Sequence, residues 1–171
     1  MAKVILLCGM LCAGKTTYAA RLAKEVPAMH LSIDALMLRL FPEPLGAAYD
    51  EYLNRAQLYL CEQAAALARA GLCVVLEGNA WQRESRRATS AFFAAAGVPF
   101  EWHYLPVGER TQRERIAQRN REGGPGAYYV DEGLLEKCRA RFEEPSQEEM
   151  GLFPANRNVR NDPEADCVDA I

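Results

Sequence analysis

The run Gly9-Met10-Leu11-Cys12-Ala13-Gly14-Lys15-Thr16 constrains this chain more than any other stretch. It fits the phosphate-loop spacing G-x-x-x-x-G-K-[ST]. Glycines at both ends let successive backbone N–H groups turn toward one anion. A helix starting at the end of the loop adds roughly half a positive charge at the same point. The flanking residues supply that context. Lys3 to Cys8 is an apolar run that reads as a buried strand, and Thr16 to Val26 carries Tyr18, Ala19, Leu22, Ala23 and Val26 along one helical face. The pattern predicts a nucleoside triphosphate site. The loop Gly9, Met10, Leu11, Cys12, Ala13, Gly14, with Lys15, Thr16 and Thr17, would cradle the phosphates. Lys15 reaches the β- and γ-phosphates, and the Thr16 hydroxyl is available to Mg²⁺.

The rest of the chain alternates strand and helix. Met29 to Ile33 reads as a strand delivering Asp34, then a short apolar helix stopped by Pro42 and Pro44. A long helix runs from about Asp50, its expected N-cap, to Ala70, with Gly71 just beyond. Leu53, Leu60, Ala64 and Leu67 form its apolar stripe. Leu72 to Leu76 is continuous and apolar, as buried parallel strands are, and ends in Glu77-Gly78-Asn79. A helix over Glu84 to Ala96, a strand over Phe100 to Leu105, a charged helix over Glu109 to Arg121 and a last helix over Asp131 to Phe142 follow. Gly123 to Gly126 reads as a flexible link, and Val159 is placed on a fifth strand. Such alternation predicts an α/β fold, a mostly parallel five-stranded sheet with helices on both faces, formed by residues 1–171 as one domain. Ligands of such sheets collect beyond the carboxyl ends of the strands. That singles out the loop, Asp34, and Glu77 to Trp81.

Composition bounds the function classes. A chain of 171 residues can bury a substantial core, and its formal net charge of −3 gives no general attraction to nucleic acid or membrane. The apolar N-terminus is better read as strand and phosphate loop than as a leader peptide. Six cysteines are scattered without a C-x-x-C pair, which favours reduced thiols and a cytoplasmic setting over disulfides or a metal site.

With these motifs in place, the chain resembles the small P-loop kinases, a group that takes in AAA-type ATP-binding proteins, chloramphenicol phosphotransferase, gluconate kinase, polynucleotide kinase domains and zeta-type toxins. The resemblance spans Lys3 to about Glu149. It rests on the loop, Leu31-Ser32-Ile33-Asp34, Leu76-Glu77-Gly78-Asn79, Arg115 to Asn120 and Arg141-Phe142-Glu143-Glu144-Pro145. It implies a three-layer P-loop fold, with ATP and Mg²⁺ as cofactors and a small-molecule hydroxyl as phosphate acceptor. It places Asp34 near metal and acceptor, Glu77 near the metal in place of the more usual aspartate, and a lid over about residues 110–131. Arg115 and Arg119 are the lid arginines expected at the phosphates, Arg119 before Arg115. Asp34 also sits where an N-cap would. Arg83, Arg86 and Arg87 form a second basic cluster able to hold an anionic acceptor. A nucleotide or polynucleotide 5′-hydroxyl kinase and a non-catalytic ATP-binding switch module remain the alternatives.

Overall fold

The computed structural model describes residues 2–123, 129–151 and 157–158. Strands β1 (Val4–Cys8), β2 (Ala28–Ser32), β3 (Cys73–Glu77) and β4 (Phe100–Tyr104) are five residues each, and β5 (Arg157–Asn158) is a two-residue edge. Their order is β2-β3-β1-β4-β5, and every pairing is parallel. Val159 and Gly124 to Gly126 lie outside the described residues.

β1 is central and buried along its whole length, so nothing in its sequence alternates: both faces meet helices. One face, with Leu6, Val74, Leu76, Trp102 and Tyr104, packs against α3 (Tyr49–Arg69) and Phe93 of α4 (Arg83–Ala95). The other, with Ile5, Leu7, Val75 and Leu105, packs against Tyr18 and Ala19 of α1 (Lys15–Glu25). The opposed residues of β4 show the pleat directly. Trp102 and Tyr104 enter the first cluster, whereas Glu101 and His103 turn to the second side. There His103 bridges Tyr18 Oη (2.7 Å) and Glu101 (2.9 Å), and Lys3 donates to the same carboxylate (2.9 Å), so these buried polar groups are met.

α2 (Ile33–Leu40) follows β2 without a connecting loop, and α5 (Glu109–Glu122), α6 (Glu132–Arg141) and α7 (Gln147–Gly151) lie between β4 and β5. Ile116, Val130 and Leu135 join α5 to α6 in a third small cluster that also holds Leu11 and Cys12 of the loop. Two expected caps are corrected. Ala48, not Asp50, precedes α3, because a 3-10 turn over Gly46–Ala48 already winds into the helix. Ser32, not Asp34, is the N-cap of α2: its Oγ accepts from Ala35 N at 3.4 Å, while Asp34 lies inside the first turn. Gly71 and Gly97 do end α3 and α4 in left-handed conformations, with φ of +92° and +63°. Five described cysteines, Cys8, Cys12, Cys61, Cys73 and Cys138, are free thiols. No helix among the described residues is long and apolar enough to cross a membrane.

Candidate active site

The loop between β1 and α1 is held by backbone geometry. Cys12 (φ +58°) and Gly14 (φ +91°) both adopt the left-handed conformation, and Ala13 N between them donates to Met10 O at 3.1 Å, closing the turn. Gly9 has no room for a side chain, since a Cβ would stand 2.8 Å from the Leu105 carbonyl oxygen. Side chains from the far element reinforce the loop. Gln112 Nε2 donates to Leu11 O (2.8 Å), and Arg115 Nη1 donates to Ala13 O (3.1 Å) and Cys12 O (3.4 Å). Lys15 Nζ lies over the loop, donating to Gly9 O (2.9 Å) and Met10 O (3.1 Å).

Three strand ends converge beside it. Thr16 Oγ1 donates to Glu77 at 2.9 and 3.1 Å from its two carboxylate oxygens, and His30 Nε2 stands 3.3 Å from Glu77 Oε2. Burial pushes the Glu77 carboxyl up, but His30, Lys15 and Thr16 together hold it below its ordinary value. Asp34 experiences the opposite balance. Its protein surroundings push the carboxyl up and Glu77 adds to this, against Lys15 and Arg119. The side chain is exposed at the cleft mouth, so water limits that rise.

The Thr16 hydroxyl and Glu77 carboxylate are hard oxygen donors of the kind Mg²⁺ takes. Among the described residues no group of three His, Cys, Asp or Glu side chains could hold a metal unaided. The fit is therefore to an ion completed by phosphate oxygens and water, the usual situation for Mg²⁺.

Lys15, Asp34 and Glu77 share one cleft of about 330 Å³ with Leu53 and Asn54 of α3, Asn79, Trp81 and Gln82 after β3, and Arg141 of α6. Gln57 of α3 fixes the wall after β3. Its Oε1 accepts from Asn79 N at 2.8 Å, and its amide packs so close to Gly78 that a Cβ there would meet it at 2.6 Å. Trp81 is half-buried in this wall and lines the cleft.

Arginines expected to act alike separate by position. Arg115 and Arg119 are both half-buried on the α5 face toward the loop. Arg115 is engaged with the loop carbonyls. Arg119 Nη1 lies 4.0 Å from Cys12 Sγ, and its charge reaches Asp34. Arg113 instead pairs with Glu132 (2.8 Å) and Glu109 (3.3 Å) on the exposed face. The cluster after β3 is corrected. Arg86 is buried, donating to Ala80 O, Trp81 O and Glu143 O and pairing with Glu149 on α7. It cannot hold an acceptor. Its place on the inward face of α4 with Thr89 and Phe93, at spacings of three and four, was the signal in the sequence.

Comparison with known proteins agrees with this architecture. No curated protein matches the chain, but solved structures do. Kti12 from Chaetomium thermophilum, crystallised with ADP-AlF3, has TM-score 0.71 and 17% identity over 93% of this chain and 89% of that one. A sugar kinase from Janibacter sp. HTCC2649 has TM-score 0.64 and 19% identity over 96% and 90%. A gluconokinase from Sinorhizobium meliloti 1021 has TM-score 0.64 and 19% identity over 96% and 86%. At these identities the likeness is one of fold, the P-loop α/β fold of small kinases. Residues 4–145 match the model of the AAA domain family designated AAA_33, and the chain belongs to that family.

Proposed function

We propose that this chain is an ATP- and Mg²⁺-dependent phosphotransferase that moves the γ-phosphate of ATP to a hydroxyl of a small molecule. The observation that carries the reading is the meeting of Lys15, Asp34 and Glu77 in one cleft that also has a separate side-chain wall. A site that only held nucleotide would need the loop but not that wall. The kinases among the structural neighbours support the same class.

In this reading the loop amides and Lys15 hold the phosphates. Thr16 and Glu77 would hold Mg²⁺, with Asp34 close by, and the ion would offset charge on the phosphate oxygens. Asp34 orients the acceptor hydroxyl in line with the γ-phosphate and accepts its proton. Arg119, poised over the loop from α5, neutralises charge as it spreads on the transferring group. Arg115 supports it by fixing the loop carbonyls. The segment of about residues 110–131 acts as the lid that excludes water during transfer.

A screen of ATP consumption by the purified protein over antibiotics, sugars, nucleosides and oligonucleotides tests the proposal. Asp34→Asn protein should still bind ATP with Mg²⁺ yet transfer about 10²- to 10⁴-fold more slowly to any acceptor found. Full activity in that variant would remove Asp34 from the mechanism. Nucleotide binding without transfer to any acceptor would leave a switch module instead.

A further inference from the structure

The charge of the cleft wall says what kind of acceptor it takes. Among the described lining residues three are carboxylates, Asp34, Asp50 and Glu77, and two are cations, Lys15 and Arg141. Both cations are engaged. Lys15 donates to the loop carbonyls, and Arg141 Nη2 donates to Asp50 Oδ2 at 3.3 Å, joining the end of α6 to the start of α3. The arginines after β3 add none: Arg86 is held in its buried network, and Arg83 and Arg87 lie outside the lining. What remains of the wall is neutral, with Asn54, Asn79, Gln82, Ser85 and the Trp81 indole.

We infer that the acceptor carries no anionic group, being an uncharged or cationic hydroxyl compound, and that Asp50 enforces this by neutralising Arg141. The inference rests on the kinase reading above. A carboxylate or phosphate on the acceptor would enter beside the carboxylates of Asp34, Asp50 and Glu77 and the nucleotide polyphosphate, with no uncommitted cation in the described wall. Desolvating an anion without a partner is strongly unfavourable. Hydroxyl or amine groups can instead bond to the amides of Asn54 and Gln82, and a ring face can lie on Trp81. The Asp50–Arg141 pair is exposed, so its own contribution to stability is small. Its consequence is local: Asp50 offsets part of the field of the cation best placed to meet an acceptor anion.

The test uses probes that differ by one charged group: glucose, glucosamine and gluconate, and ribose with ribose 5-phosphate. Binding to the full-length protein with Mg·ADP is followed by calorimetry, and transfer with Mg·ATP by product formation. Glucose, glucosamine or ribose should exceed its anionic counterpart by at least about tenfold in affinity and in kcat/KM. Asp50→Asn should narrow the gap by about two- to fivefold through a lower KM for the anionic member. A wild-type preference for gluconate or ribose 5-phosphate overturns the inference. So does an unchanged ratio in Asp50→Asn, or failure of every non-anionic probe to bind. Charge-selective binding without phosphate transfer would uphold the inference while rejecting the kinase reading.

Discussion

The two sides of the cleft are built by different means. On the phosphate side the working parts are backbone. Left-handed Cys12 and Gly14 shape the loop, and Gln112 and Arg115 hold its carbonyls from α5. On the acceptor side the working parts are side chains drawn from α3, the loop after β3 and α6, propped by Gln57 and Arg86. A backbone cradle demands a fixed residue spacing and is tied to one chemistry. A side-chain wall can be rewritten one position at a time, which is how one fold comes to serve many acceptors. Substitutions on the first side should therefore remove activity altogether, and those on the second should alter stability or choice of acceptor.

The largest effect is expected at Lys15. Its ammonium is the loop's own side-chain cation, and Lys15→Ala should abolish transfer and greatly weaken ATP binding while circular dichroism stays that of the wild type. Normal turnover in that variant would break the comparison at its strongest point.

Next come the two α5 arginines, which the structure separates. Arg119→Ala should lower kcat by about 10³- to 10⁵-fold with a much smaller change in ATP affinity, as for other arginines aimed at a transferring phosphoryl group. Arg115→Ala should act mainly by loosening the loop carbonyls, raising the KM for ATP more than it lowers kcat. The reverse pattern, measured by steady-state kinetics, would exchange their roles.

These effects fall where the sequence was most informative, and the reason is physical. The loop motif, the alternation of elements and the residues at strand ends follow from local rules, so the sheet, Lys15, Thr16, Asp34 and Glu77 could all be located from sequence. Contacts between distant segments have no local signature. That Arg86 would be swallowed by Glu143 and Glu149, 57 and 63 residues away, depended on where the chain after α6 returns. The caps were misplaced for a related reason: Asp34 and Asp50 are good capping types, but Ser32 and the 3-10 turn before α3 already start those helices. Asp50 faced Arg141 instead, a pairing across 91 residues.

Arg86 sharpens the comparison from the acceptor side. Removing one partner of a buried ion pair leaves the other uncompensated, which costs about 3–5 kcal/mol. Arg86→Met should lose stability of that order in urea or thermal unfolding, since Glu149 and the Glu143 carbonyl lose the guanidinium, while Ala80 O keeps Cys8 Sγ and Trp81 O keeps Glu143 N as donors. Glu149→Gln keeps the shape and a hydrogen-bonding oxygen and should lose less. An Arg86→Met protein as stable as wild type, with an altered acceptor KM, would return Arg86 to the cleft as a binding residue.

The smallest effect tests the two carboxylates against each other, because their titrations are displaced in opposite directions. Glu77 has a lowered carboxyl pKa in the folded chain, so it contributes stability above its unfolded pKa, lost as pH falls through the lowered folded value. Asp34 has a raised one, so its charged form is unfavourable in the fold above that value, and the penalty disappears as pH falls through it. Asp34→Asn removes this penalty at neutral pH and leaves the cap of α2 untouched, since Ser32 supplies it. The first-turn field of α2 works the other way, favouring a negative charge by about 0.3–1 kcal/mol. Both influences are screened at an exposed side chain, so the net change should stay below about 1 kcal/mol, with the variant at least as stable as wild type at pH 7. Glu77→Gln should destabilise at pH 7, with its deficit shrinking toward acid, whereas any advantage of Asp34→Asn should vanish there. Thermal midpoints of both variants across pH 3 to 8 decide the matter. A loss of several kcal/mol in Asp34→Asn would make that carboxylate part of the scaffold and deprive the cleft of its proposed base.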